Sequence, residues 1–284
     1  MKTVRFDKMS GVGKGFAQRE TVKNPERMAL RKMVTVMLLL TVAQVAFGQD
    51  QEQNQNPNQN LNHNLNQNQN LMINAEADLV SSYVWRGIYQ TGVSIQPSLT
   101  ASFSGFTLGV WGSTDFSTWF KEFDFSLFYE TGGLSFGITD YWWSGQWEPY
   151  FNRKGKNGAP DVKYKENHLL EISIGYHFGD GFPLSLGWNT MFFGDQDKNL
   201  EDKQMFSSYL SVGYDFPVKD VKCNVEMGFN TWESMYSNKF DLMRLSFKAL
   251  KTVTVTDKFS MPAFAQMILC PATNDAHLIF GLKF

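Results

Sequence analysis

The chain has 284 residues and a formal net charge of −2, so it carries no basic excess of the kind that nucleic acid attracts. Only two cysteines occur, Cys223 and Cys270, which excludes a disulfide-built scaffold. Mean hydropathy is slightly negative and a single long apolar run exists, close to the start, which excludes a bundle of membrane-spanning helices.

Residues 1–27 are polar and basic and read as an upstream extension that export does not need. Residues 28–48 read as a secretory signal peptide. Arg31 and Lys32 form its positive region, Met33 to Val45 its apolar region, and Ala46 and Gly48 the small residues before cleavage at Gln49. That apolar run falls short of the roughly 20 residues a spanning helix needs. Residues 49–74 read as a disordered leader, because 15 of the 20 residues from Gln51 to Asn70 are Asn or Gln and cannot bury a core. His63 within it is a lone histidine, and none of the four histidines stands at ligand spacing, so no metal site and no cofactor is expected.

From Ala75 to the end, apolar and polar residues alternate with period two, the signature of β-strands. Twelve segments follow: 75–88, 93–104, 106–115, 120–130, 133–143, 168–178, 183–193, 205–215, 221–231, 240–253, 260–270 and 276–284. Most have the length of a tilted strand crossing a membrane. Tight turns such as Ser104-Gly105, Thr131-Gly132 and Gly179-Asp180-Gly181 alternate with longer connections such as 144–167 and 194–204. The expected fold is therefore all-β: a transmembrane, antiparallel, up-and-down β-barrel, twelve-stranded, with both termini in the periplasm. Ten or fourteen strands follow if a segment is divided differently. Seven strands carry an apolar–Gly–apolar triplet with the glycine on the lumen parity, where it relieves crowding in a closed barrel. The two cysteines read as small buried or lipid-facing residues.

Strand parity sends Arg86, Gln96, Glu122, Asp124, Glu171, Glu226, Arg244 and Lys248 inward. Arg86 is expected opposite Gln96 across a turn near Thr91, with Glu122 and Asp124 near the same mouth. An arginine facing carboxylates across a narrow lumen makes a charged constriction that filters solutes; the other reading is mutual neutralisation that plugs the barrel. Glu226 is expected opposite or diagonal to Arg244. In the 144–167 connection, Trp147, Tyr150 and Arg153 offer aromatic and cationic contacts to a solute, or form a solvated loop. Ser144 and His168, both of outward parity, are the minimum for a membrane-embedded hydrolase, but no motif supports a catalytic site.

Val80 to Pro97 (VSSYVWRGIYQTGVSIQP) resembles the first hairpin of the TorF-like porins, through Val80, Ser81, Tyr83, Trp85, Arg86, Gly87, Gln90, Gln96 and Pro97. Phe106 to Asp115 (FTLGVWGSTD) looks like the next strand of that family, and Glu122-Phe123-Asp124 also fits. The last strand, AHLIFGLKF, resembles the terminal strands of outer-membrane barrels, whose final aromatic residue the barrel-assembly machinery reads. These resemblances imply a cell outer-membrane location, lipid and assembly-machinery partners, and a channel for passive diffusion of small solutes. An outer-membrane lipid hydrolase and a closed structural or adhesive barrel remain the alternatives.

Overall fold

Alternation over nine to sixteen residues at a time leaves each strand one apolar and one polar face, and a closed barrel accommodates both. A computed structural model describes residues 70–118, 120–144 and 164–284. The strands are β1 (Met72–Val80), β2 (Tyr83–Trp85), β3 (Ile88–Thr91), β4 (Ser94–Phe103), β5 (Phe106–Asp115), β6 (Lys121–Thr131) and β7 (Leu134–Ser144). They continue with β8 (His168–His177), β9 (Leu184–Phe193), β10 (Ser208–Val218), β11 (Val221–Asn230), β12 (Asp241–Thr256), β13 (Phe259–Cys270) and β14 (Asp275–Lys283). Twelve of them close into one antiparallel barrel in sequence order, while β2 and β3 pair only with each other. One short helix, α1 (Tyr164–Asn167), precedes β8. No helix among the described residues is long and apolar enough to cross a membrane.

The barrel closes between β1 and β14 in the register Asp78↔Lys283, Leu79↔Leu282, Val80↔Gly281. Reciprocal backbone bonds between Ala77 and Phe284, at 3.1 and 2.9 Å, extend this seam. A salt bridge of 3.1 Å from Lys283 to Asp78 crosses it. Residues Met72 to Glu76 pair with β4 alone.

The two faces differ sharply in exposure. On β14, Leu278 and Phe280 are 61% and 57% exposed, whereas Ile279 between them is 4% exposed. The same outward band runs through Leu108, Phe125, Phe136, Ile174, Met227, Phe247 and Met267, all exposed. Both cysteines are free and buried.

Tight turns and long connections occupy opposite ends. Ser104 (φ 50) and Gly105 (φ 86) form the two-residue turn after β4, and Gly132 (φ 58) and Gly133 (φ 83) the one after β6. Positive φ at both central positions gives the twist a tight hairpin requires. The long connections, including 194–207 and 231–240, lie at the other end with the β1–β4 connection.

That connection is the main departure from expectation. The sequence predicts one strand over 75–88; instead β1 starts at Met72, inside the expected leader, and stops at Val80. Ser81 still bonds to Phe280 of the wall and Val93 to Phe116, and residues 82–92 between them leave the wall and form the β2–β3 hairpin. Strict alternation lapses here, where Ser81-Ser82 is followed by Tyr83-Val84-Trp85, but no Pro or Gly stands before Arg86-Gly87 to mark an end of the strand. Arg86 (φ 51) and Gly87 (φ 83) make the hairpin turn. A Cβ on Gly87 would stand 2.0 Å from the carbonyl oxygen of Met243, so the hairpin tip touches the barrel wall where only glycine fits. Met243 is the β12 residue skipped by a bulge opposite Gly228 and Phe229.

The hairpin gives the lumen its core. Val84 packs with Val80, Phe264, Ile268, Cys270 and Ile279, and Trp85 and Ile88 pack against Tyr209, Tyr236 and Met243. Inward glycines make room for rings. A Cβ on Gly281 would meet the Phe264 ring at 2.2 Å, and one on Gly228 would overlap the Tyr209 phenol at 1.7 Å.

Candidate functional site: the lumen at the long-loop end

The hairpin turn delivers Arg86 into the lumen. Its guanidinium donates to both carboxylate oxygens of Glu171 on β8, at 2.6 and 2.9 Å. It also donates to the Tyr236 hydroxyl at 2.6 Å. Tyr141 donates to the same Glu171 carboxylate at 2.7 Å. The guanidinium carbon stands 4.6 Å from the centre of the Trp85 ring and 4.9 Å from that of Tyr209. Trp85 meets Tyr141, Trp143 and Tyr236 at ring distances of 5.7, 5.6 and 5.7 Å. A forked arginine–carboxylate pair with its remaining acceptor filled and its faces covered by rings is the arrangement in which a buried pair offsets its desolvation. The other leg of the hairpin is tied by Thr91, which donates to Asp115 at 2.7 Å. Ser117 and Thr118 complete the acceptor sites of that carboxylate.

Gln96 is not the partner of Arg86. It pairs with Asp78 on β1, because the residues after Ser81 no longer belong to the wall. Glu122 and Asp124 do point inward, at 3% and 8% exposure, but Glu171 is the carboxylate that Arg86 engages. Glu226 and Arg244 sit diagonally, since Glu226 opposes Ser246 and Gly228 opposes Arg244; their side chains meet at 3.5 Å. Lys248 lies over the Phe264 ring at 4.2 Å. Trp147, Tyr150 and Arg153 fall outside the described residues. His168 is fully buried, with its Nδ1 2.8 Å from Asp140, and the Ser144 side chain is outside the described set.

Charge is uneven around the lumen. Asp115, Glu122, Asp124, Glu130 and Glu171 belong to β5, β6 and β8, whereas Lys222, Arg244, Lys248 and Lys283 belong to β11, β12 and β14, where Glu226 and Asp78 pair with Arg244 and Lys283. Arg86 is carried by the hairpin onto the acidic side. Sequence reading missed Tyr236, Tyr141 and Tyr209, which come from a loop and two other strands. Their signal was confined to the Arg-Gly dipeptide, a turn mark inside an apparently continuous strand. Outside the strands, burial pushes the Tyr236 phenol up, away from ionisation. In the 194–207 connection burial also raises the Asp197 carboxyl, although it accepts from Ser207 and Gln204.

No family profile and no curated protein matches the chain. Among solved structures, it is similar to BamA from Haemophilus ducreyi lacking POTRA domains 1–3, at 12% identity and a TM-score of 0.33. The match covers 69% of this chain and 40% of that one, so the chain spans less than half the length of that structure. An outer membrane channel from Pseudomonas putida F1 matches at 11% identity and a TM-score of 0.36, covering 74% and 92% of the two chains. A mutant of the Rh. blastica porin matches at 12% identity and a TM-score of 0.32, covering 75% and 73%.

Proposed function

We propose that this chain is an outer-membrane channel for passive diffusion of small solutes, narrowed at its long-loop end by the β2–β3 hairpin. The observation that carries this reading is the division of every barrel strand into an exposed apolar face and an inward face rich in charged, hydroxyl and glycine residues. A continuous apolar band around a closed barrel is favourable only against lipid. A lumen with an acid-rich wall facing one that carries the inward lysines and arginine of the strands orients and filters polar solutes. Lipid around the band and the assembly machinery at the terminal strand are the partners this reading implies.

One observation favours a second reading. Arg86, Glu171 and Tyr236 are nearly closed to solvent, as in a barrel plugged for structural or adhesive use. Liposome swelling with sugars of graded size separates the two. Uptake of the smallest solutes with exclusion of larger ones supports the channel. Absence of uptake, both by the native chain and after removal of the hairpin, supports the closed barrel. Release of fatty acid from the same liposomes would instead point to a hydrolase.

A further inference from the structure

Three groups on adjoining strands of the acidic wall stand out because nothing neutralises them. Glu122 and Asp124 are two apart on β6 and share its inward face. Ser113 on β5 lies directly opposite Glu122. All three are buried, at 3%, 8% and 4% exposure. Both oxygens of Glu122, Oδ1 of Asp124 and Oγ of Ser113 lack a hydrogen-bond partner. The Trp143 indole and Tyr83 phenol approach Glu122 and the backbone amide of Trp142 approaches Asp124, yet those four oxygens stay unsatisfied. Among the described residues no Lys, Arg or His forms an ion pair with either carboxylate, and Arg86 is committed to Glu171. Asp115, two residues beyond Ser113, shows the contrast, with Thr91, Ser117 and Thr118 all donating to it.

Two buried carboxylates on one strand face repel each other and are costly unless a positive charge lies between them or they hold protons. The four free oxygens are closed to solvent, so an ion bound by them is held directly, without its water shell. Every one of them is a hard oxygen donor, with no sulfur or imidazole among them, and the carboxylates supply two negative charges.

We propose that Glu122, Asp124 and Ser113 form a divalent-cation site of the calcium type in the lumen wall beneath the hairpin. Glu122 binds through both oxygens, Asp124 through Oδ1 and Ser113 through its hydroxyl. It differs from a conventional cage, since no three His, Cys, Asp or Glu side chains converge anywhere among the described residues. Tyr83 of the hairpin, packed on Trp111 at a ring distance of 5.5 Å, covers the site, so the bound ion helps seat the hairpin. Binding does not depend on whether the barrel conducts, and it is read without any flux measurement.

Terbium is the probe, because the nearby Trp111, Trp143 and Tyr83 rings can transfer excitation to a bound lanthanide. The full chain, folded in detergent micelles and stripped with a chelator, should show sensitised terbium emission that calcium displaces. Glu122→Gln with Asp124→Asn should weaken binding at least tenfold while the folded band on an unheated gel persists. Ser113→Ala should weaken it less. Calcium should raise the unfolding temperature of the native chain and leave that of the double variant unchanged. Absence of emission from the native chain would overturn the site, as would equal emission from chain and double variant. A double variant more stable than the native chain in chelator, with neither responding to calcium, would also overturn it and assign the pair to shared protons.

Discussion

Arg86 and Glu171, 85 residues apart in sequence, are joined through both prongs of the guanidinium at 2.6 and 2.9 Å. One belongs to a hairpin inside the barrel and the other to the wall, so this pair fixes where the hairpin sits. Glu171→Gln preserves shape but leaves Arg86 a buried charge without its counter-ion. The expected loss is about 3–5 kcal/mol, typical of breaking one side of a buried pair. It is measured by denaturant unfolding of the micelle-bound barrel. Replacing Arg86 and Glu171 together by methionine should cost much less, because no charge is then stranded. Equal losses in the two variants would contradict the pairing.

Glu226 and Arg244 make the opposite case. Their contact is 3.5 Å, and their side chains remain 29% and 16% exposed. Water screens such a pair, so Glu226→Ala should cost less than about 1 kcal/mol. A loss as large as that of Glu171→Gln would mean that this part of the lumen is dry.

Much of this was legible beforehand. Alternation ending in AHLIFGLKF gave the outward and inward faces, and Glu226 and Arg244, expected opposite or diagonal on the lumen side, stand diagonal. The period-two segments gave the twelve-strand count, and the alternating loop lengths an even number in up-and-down order. Arg86 was legible as inward but not as to its partner. Pairing by a turn near Thr91 assumes that the chain stays in the wall, and a hairpin folded inward changes every neighbour. Tyr236 was illegible for a related reason, because a loop residue carries no parity. The burial of Glu122 and Asp124 was also hidden, since it depends on Tyr83 and Trp143 lying over them.

Asp197 gives a pH signature outside the strands. Burial raises its carboxyl above the ordinary 3.8, so the folded chain binds this proton more tightly than the unfolded chain does. Stability from this group is full below 3.8 and declines as pH rises from there through the raised value. Melting temperatures recorded across that window should show this slope, and Asp197→Asn should flatten it. An unchanged slope in the variant would assign the effect elsewhere.

The orientation of the barrel can be read by labelling. Leu200 is fully exposed in the 194–207 connection, and Asp180 is exposed in a tight turn at the other end. Both native cysteines are buried, so background reaction is low. A membrane-impermeant maleimide on intact cells should label Leu200→Cys and spare Asp180→Cys until the outer membrane is opened. The reverse pattern would invert the barrel.

Single-channel recording in planar bilayers tests the central claim most directly. The native chain is compared with one in which residues 82–92 are replaced by a short Gly-Ser turn, which removes Arg86 and the hairpin but none of the twelve barrel strands. The native chain should give small, resolvable steps, and the hairpin-free chain steps several-fold larger with weaker discrimination by solute size. Silent bilayers with both chains, each shown by its folded gel band to have inserted, would contradict a channel narrowed by the hairpin.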